Sequence, residues 1–116
     1  MHARSNLAET PAPVEVCRVD DLAPGIGVCA LVNGRQVAIF RLCNGDIFAV
    51  GNYDPFSAAN VISRGLTGDL KGRKVVASPV YKQHFDLATG ECLEDASVSL
   101  PVYTVQVEGG RVSVLA

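Results

Sequence analysis

Glycine-bearing turns recur along this chain at spacings that leave room for strands and not for helices. Asn33-Gly34 separates the apolar run from Gly27 to Val32 from the run Arg35-Gln36-Val37-Ala38-Ile39-Phe40-Arg41-Leu42. Asn-Gly between two such runs is a strong signal for a two-residue hairpin, because both turn positions require positive φ. Asn44-Gly45-Asp46 follows at once and leads into Ile47-Phe48-Ala49-Val50. With the alternating run Val14-Glu15-Val16-Cys17-Arg18-Val19 in front, the spacing predicts a meander of about four strands up to Val50.

The segment from Gly51 to Arg73 is rich in Asn, Ser, Pro, Asp and Gly and reads as a functional loop carried on a sheet. Lys74-Val75-Val76-Ala77 resumes a strand. Phe85-Asp86-Leu87 and Glu91-Cys92-Leu93 flank the tight turn Ala88-Thr89-Gly90, and a last hairpin pairs Val102 to Val107 with Arg111 to Leu115 across Glu108-Gly109-Gly110. No segment has the apolar period of an amphipathic helix. The pattern predicts an all-β fold, a small antiparallel β-sandwich or barrel.

Composition narrows the function classes. A content of 48% hydrophobic and 19% charged residues excludes a disordered chain, and 116 residues suit one domain with a core that needs no metal or disulfide. A net charge of −2 without any basic run gives no footprint for nucleic acid or an anionic membrane, so the expected partner is a protein or a small molecule. Residues 1–13 lack the apolar core of a signal peptide, and Pro11 and Pro13 disfavour helix; a flexible leader is expected, followed by a single domain over 14–116. No apolar run approaches the ~20 residues that cross a bilayer, and a cytoplasmic location is expected.

Cys17, Cys29, Cys43 and Cys92 form no Cys-x-x-Cys pair, and three lie in or beside apolar strand-like runs. They are expected to be small buried hydrophobes in a reducing compartment. No Gly-rich loop opens a helix, so the chain itself is not expected to bind NADH or flavin through a Rossmann motif.

Two composite motifs carry more. The first is Asn52-Tyr53-Asp54-Pro55-Phe56, continuing as SAANVISRG, and the second is ASPVYKQHFDLATGECLED from Ala77 to Asp95. Both resemble the loops of Rieske iron-sulfur domains, where Cys-x-His and Cys-x-x-His place two thiolates on one iron and two imidazoles on the other. On those frames the ligand positions are Asp54, Phe56, Ser78 and Tyr81. Phenylalanine cannot ligate iron, and a tyrosine does not supply the neutral nitrogen that this cluster uses. The two histidines are His2 in the leader and His84, three residues past the last ligand position. The resemblance implies a Rieske-like fold without the [2Fe-2S] cluster.

Over about residues 14–116, the same motifs are similar to the small subunit of the cytoplasmic NAD(P)H-dependent nitrite reductase. That resemblance implies a non-catalytic subunit of nitrate assimilation, with no cofactor in this chain. FAD, sirohaem and a [4Fe-4S] cluster would lie on a large subunit that reduces nitrite to ammonium. Tyr53, Pro55, Lys82, Gln83 and His84 would contact that partner. Two alternatives stay open: a stand-alone binding module unrelated to nitrite, and an electron carrier with atypical iron ligands.

Each of these residues also has an ordinary structural use. Asp54 before Pro55 opens a turn, Phe56 packs, Ser78-Pro79 ends a strand, and the Tyr81 hydroxyl bonds the facing loop. His84 stands beside no nucleophile or carboxylate and is expected to be satisfied or exposed. Lys82 and Gln83 are the expected surface contacts, and Arg64, Lys71, Arg73 and Lys74 give a positive bias suited to an acidic patch on a partner.

Overall fold

The structure, a computed structural model, describes residues 12–116, so the expected leader lies almost wholly outside the described residues. Its strands are β1 (Val14–Arg18), β2 (Val28–Val32), β3 (Arg35–Arg41), β4 (Ile47–Gly51), β5 (Tyr53–Asp54), β6 (Ala59–Asn60), β7 (Leu66–Leu70), β8 (Arg73–Ala77), β9 (His84–Asp86), β10 (Val102–Glu108) and β11 (Arg111–Leu115). Single 3-10 turns cover Val19–Asp21 and Ile62–Arg64. The expected all-β fold is what forms.

Six strands make the main antiparallel sheet in the order β1-β11-β10-β4-β3-β2. It curls until the residues of β1 and β2, at its two edges, pack into one apolar cluster. β10 joins the halves: Val102 and Tyr103 pair with Val50 and Ala49 of β4, while Thr104 to Glu108 pair with β11. β7, β8 and β9 form a second antiparallel sheet, and β5 and β6 a minimal hairpin.

Two sequence expectations are corrected. β1 does not begin a meander but pairs with β11, Val14 lying opposite Val114, because beside β11 its Val14 and Val16 pack against the apolar cluster. The loop expected from Gly51 to Arg73 contains β7, which pairs with β8 across the turn Lys71-Gly72, both residues at positive φ. Glu91-Cys92-Leu93 flanks the turn as expected, with isolated bridges from Cys92 to Phe85 and from Glu91 to Ser99.

β3 is buried on both faces. Val37 and Ile39 face the inside of the curled sheet with Leu22, Val32, Ala49, Val112 and Val114. Ala38 and Phe40 face the other way, onto Ile62, Val76, Phe85, Leu87, Cys92 and Leu100. The small sheet is therefore pinned to the large one through a strand that alternates between two cores, as the pleat requires. Of the cysteines, Cys92 is buried, Cys17 half-buried, and Cys29 and Cys43 are exposed, so the buried-hydrophobe expectation holds for Cys92 and fails for the two on exposed strand and turn positions. No helix among the described residues is long and apolar enough to cross a membrane.

The turn after β9 is fixed by Asp86, whose carboxylate accepts from the backbone N–H of Ala88 and Thr89 at 2.7 and 3.0 Å. Arg73 donates to Asp86 at 2.7 Å and to Glu91 at 2.9 Å across the same turn. Gly90 closes it at φ +82°, and a Cβ there would lie 2.1 Å from the Leu100 carbonyl oxygen, on the segment that feeds β10. Gly90→Ala is predicted to destabilise the fold by about 2–4 kcal/mol, because a strained φ and a backbone clash act together. That is a drop of roughly 10 °C in Tm by differential scanning calorimetry. Gly68→Ala, on an open strand position with nothing within 4 Å, should change stability by less than about 0.5 kcal/mol.

Candidate functional site

β4 delivers the chain to Asn52, where the first motif begins. Asn52 is buried, and its side chain satisfies every polar atom it carries there. Its Nδ2 donates to Gln36 Oε1 at 3.0 Å and approaches Cys29 Sγ at 3.5 Å, while its Oδ1 accepts from the Ser63 N–H at 2.7 Å. Its backbone N–H donates to the Gln36 carbonyl and its carbonyl accepts from Ile62 N–H, both at 3.1 Å. One asparagine thus ties β3, β4 and the 3-10 turn at the base of the first loop. This role was not read from the sequence, although the residue opens the motif.

Beyond it, β5 and β6 form a hairpin in which Asp54 sits opposite Ala59. Asp54 is fully buried. Its Oδ1 accepts from Phe56 N–H at 2.9 Å, the aspartate turn expected before Pro55. Its Oδ2 accepts from the Ser78 hydroxyl at 2.5 Å, across to the second loop. Ser78 is also buried, and its Oγ accepts from Val80 N–H at 3.3 Å. The second loop closes on itself where Ser78 N–H donates to the Gln83 carbonyl at 2.9 Å, a closure that puts Lys82 at φ 65°.

Asp54 and Ser78, which the sequence resemblance lays on the thiolate positions of Rieske loops, are therefore brought together and spent on each other. Phe56 stacks its ring 6.1 Å from that of Phe85 at 45° and joins the core. Tyr81 is not brought into the group: its side chain is 61% exposed, and the loop-to-loop bond expected of its hydroxyl is made by Ser78 instead. A carboxylate bound to a hydroxyl, a packed phenyl ring and an outward phenol offer neither thiolate nor imidazole. These residues do not fit a [2Fe-2S] cluster. Among the described residues, no group of three or more His, Cys, Asp or Glu is placed to hold a metal ion.

The proposed contact residues separate into two kinds. Tyr53 and Lys82 are exposed, and Val80 and Tyr81 stand beside them as exposed apolar surface. Gln83 is half-exposed, with its Oε1 buried and without a partner among the described residues. His84 does have a carboxylate, which the sequence hid ten residues away. Its Nδ1 lies 2.8 Å from Glu94 Oε2, and its backbone N–H donates to Glu94 Oε1 at 2.8 Å. Burial pushes the Glu94 carboxyl up, but the bonds from His84 outweigh it and leave it below the usual carboxylate range. Lys74 is paired to Asp69 at 2.7 Å and Arg73 to Asp86 and Glu91, so that part of the expected positive bias is neutralised within the domain.

Burial likewise raises the Asp54 carboxyl, yet hydrogen bonds from the Ser78 hydroxyl and the Phe56 N–H win and hold it below its ordinary value. A carboxyl lowered on folding stabilises the fold above its unfolded pKa of about 4, and that contribution is lost as the pH falls through the lower folded value. Ser78→Ala leaves a buried carboxylate oxygen without a donor. It is predicted to cost about 2–3 kcal/mol at pH 7. Asp54→Asn should flatten the acid limb of the stability curve below about pH 4, read by urea unfolding at successive pH values.

Comparison with known proteins agrees with this geometry. A family model described as a Rieske-like [2Fe-2S] domain matches residues 13–115. The chain is 49% identical over 98 residues to the nitrite reductase (NADH) small subunit of Salmonella typhimurium, covering 84% of this chain and 91% of that one. A solved structure assigned as an NADH-dependent nitrite reductase small subunit from Mycobacterium tuberculosis superposes with a TM-score of 0.89 at 49% identity, over 91% of this chain and 96% of that one. The nitrite reductase [NAD(P)H] large subunit of Klebsiella oxytoca also contains a matching segment, 39% identical over 98 residues, which is 84% of this chain and 10% of that protein. On these matches this chain belongs to the Rieske-like domain family and, within it, to the family of NADH-dependent nitrite reductase small subunits.

Proposed function

We propose that this chain is the accessory, non-catalytic small subunit of an NAD(P)H-dependent nitrite reductase of nitrate assimilation, and that it docks on the large subunit through the tip built by its two loops. The observation that carries this reading is the Asp54–Ser78 hydrogen bond. It joins the loops at the positions where Rieske domains hold iron, so the tip keeps its shape without the cofactor that would make it an electron carrier.

The Klebsiella large subunit supports the pairing, because a protein that carries such a domain within its own chain has no need to find it by diffusion. On this reading FAD, sirohaem and the [4Fe-4S] cluster belong to the large subunit, the complex is cytoplasmic, and residues 14–116 act as one unit behind a leader. Asp54, Phe56, Ser78 and Tyr81 are the degenerate cluster positions. Tyr53, Pro55, Lys82, Gln83 and His84 face the partner, with Tyr81 and Val80 beside them. Exposed tyrosines suit such a role, since an aromatic ring with a polar end gives much contact area at low entropy cost.

Tyr53→Ala combined with Lys82→Glu is predicted to weaken association with the purified large subunit at least tenfold by biolayer interferometry, with nitrite-dependent NADH oxidation falling in parallel. Val107→Ser, at the opposite end of β10, should change neither. Unaltered binding and activity in the double variant would remove the tip from the interface.

A further inference from the structure

Two Asn-Gly pairs stand in turns of the main sheet, Asn33-Gly34 between β2 and β3 and Asn44-Gly45 between β3 and β4, and all four residues are exposed. In such a pair the side-chain amide carbon of asparagine comes within reach of the next backbone nitrogen, and glycine, with no Cβ, leaves the approach open. The two turns treat this chemistry differently. Asn44 is held at both ends of its amide: its Nδ2 donates to Asp46 Oδ2 and its Oδ1 accepts from Asp46 N–H, both at 3.0 Å. The nitrogen that would attack it, Gly45 N, donates to the Leu42 carbonyl at 2.9 Å. Reaction there must break all of these bonds, and the Asp46 carboxylate disfavours the nitrogen anion that attacks.

Asn33 carries a single tie, from its Nδ2 to the Ala116 carbonyl at 3.1 Å. Among the described residues, Gly34 N–H has no acceptor, so the attacking nitrogen is not engaged. The residue that follows is Arg35, a cation where the other turn has an acid.

We propose that Asn33 is a site of deamidation in the folded chain and that Asn44 is spared. Gly34 N attacks Asn33 Cγ, the Cγ–Nδ2 bond breaks, and ammonia leaves a cyclic imide that water opens to aspartate or isoaspartate. Water enters and ammonia departs, with nothing oxidised or reduced. The change is local but acts at a distance, because the Nδ2 donor is replaced by a carboxylate oxygen that faces the Ala116 carbonyl. A bond becomes a repulsion. Ala116 packs against the apolar cluster inside the curled sheet, just past the place where Val114 of β11 pairs with Val14 of β1, so the reaction loosens the chain where the sheet closes.

The experiment incubates the full chain in mildly alkaline buffer, folded and in denaturing urea, and follows the peptides that contain Asn33 and Asn44 by mass spectrometry. In the folded chain Asn33 should convert at least tenfold faster than Asn44, while in urea, where the hydrogen bonds are gone, the two rates should converge. Asp46→Ala, which frees the Asn44 amide, should raise the Asn44 rate in the folded chain and leave that of Asn33 unchanged. Equal rates in the folded chain, a faster Asn44, or a folded chain in which neither converts while both convert in urea would each overturn the proposal. The consequence is read on the Asn33→Asp variant, whose amide hydrogen exchange at Leu115 and Ala116 should be faster than in the native chain. Exchange there at the native rate would overturn the loosened chain end.

Discussion

The two-sided burial of β3 is the constraint from which the rest of the domain is built. Successive side chains on a strand point to opposite faces, so Val37 and Ile39 on one face and Ala38 and Phe40 on the other can fill two cores at once. Emptying one of the larger positions, as in Phe40→Ala, costs about 3–5 kcal/mol in a packed interior, and here it would loosen the small sheet from the large one. Because β4 pairs with β3 and runs on into Asn52, and because β8 ends at Ala77 just before Ser78, the same packing sets the distance between the two loops.

At that distance the chemistry of the tip follows from what stands at the ligand positions. A Rieske cluster cross-links its two loops through metal bonds, and a chain that lacks the ligands must hold the loops by other means. Here Asp54 and Ser78 do so with a buried, charge-assisted hydrogen bond. The aspartate is tied within its own loop by Phe56 N–H, and the serine within its own by Val80 N–H, so each end of the bridge is oriented before the loops meet. The phenyl ring of Phe56 goes inward and Tyr81 goes outward. The tip is left with two exposed tyrosines, Tyr53 and Tyr81, and with neither thiolate nor imidazole where its loops meet.

Much of this was legible in the residues because it was local. Asn33-Gly34 and Gly109-Gly110 adopt the positive φ angles that their hairpins need, and the strands on either side of them are where alternation placed them. What was not legible depended on pairing at a distance. β1 is completed by β11 from the far end of the chain. β7, with Gly68 and Asp69 inside it, is a poor strand by propensity and is held by its hydrogen bonds to β8, so composition marked it as loop. At the tip, the motif located Asp54 and Ser78 but not their mutual bond. Glu94 reaches His84 from beyond a turn, and Asn52 reaches Ser63 from eleven residues away at the base of the first loop. Spacing along the chain carried no signal for either.

The most direct measurement is amide hydrogen exchange of this chain, alone and with a saturating amount of its purified large subunit. The account predicts that added protection concentrates in Tyr53 to Phe56 and Val80 to His84, the exposed parts of the two loops, with the β10–β11 hairpin unchanged. Protection confined to the hairpin end, or none in either loop, would contradict the claim that the cluster-less tip is what the large subunit binds.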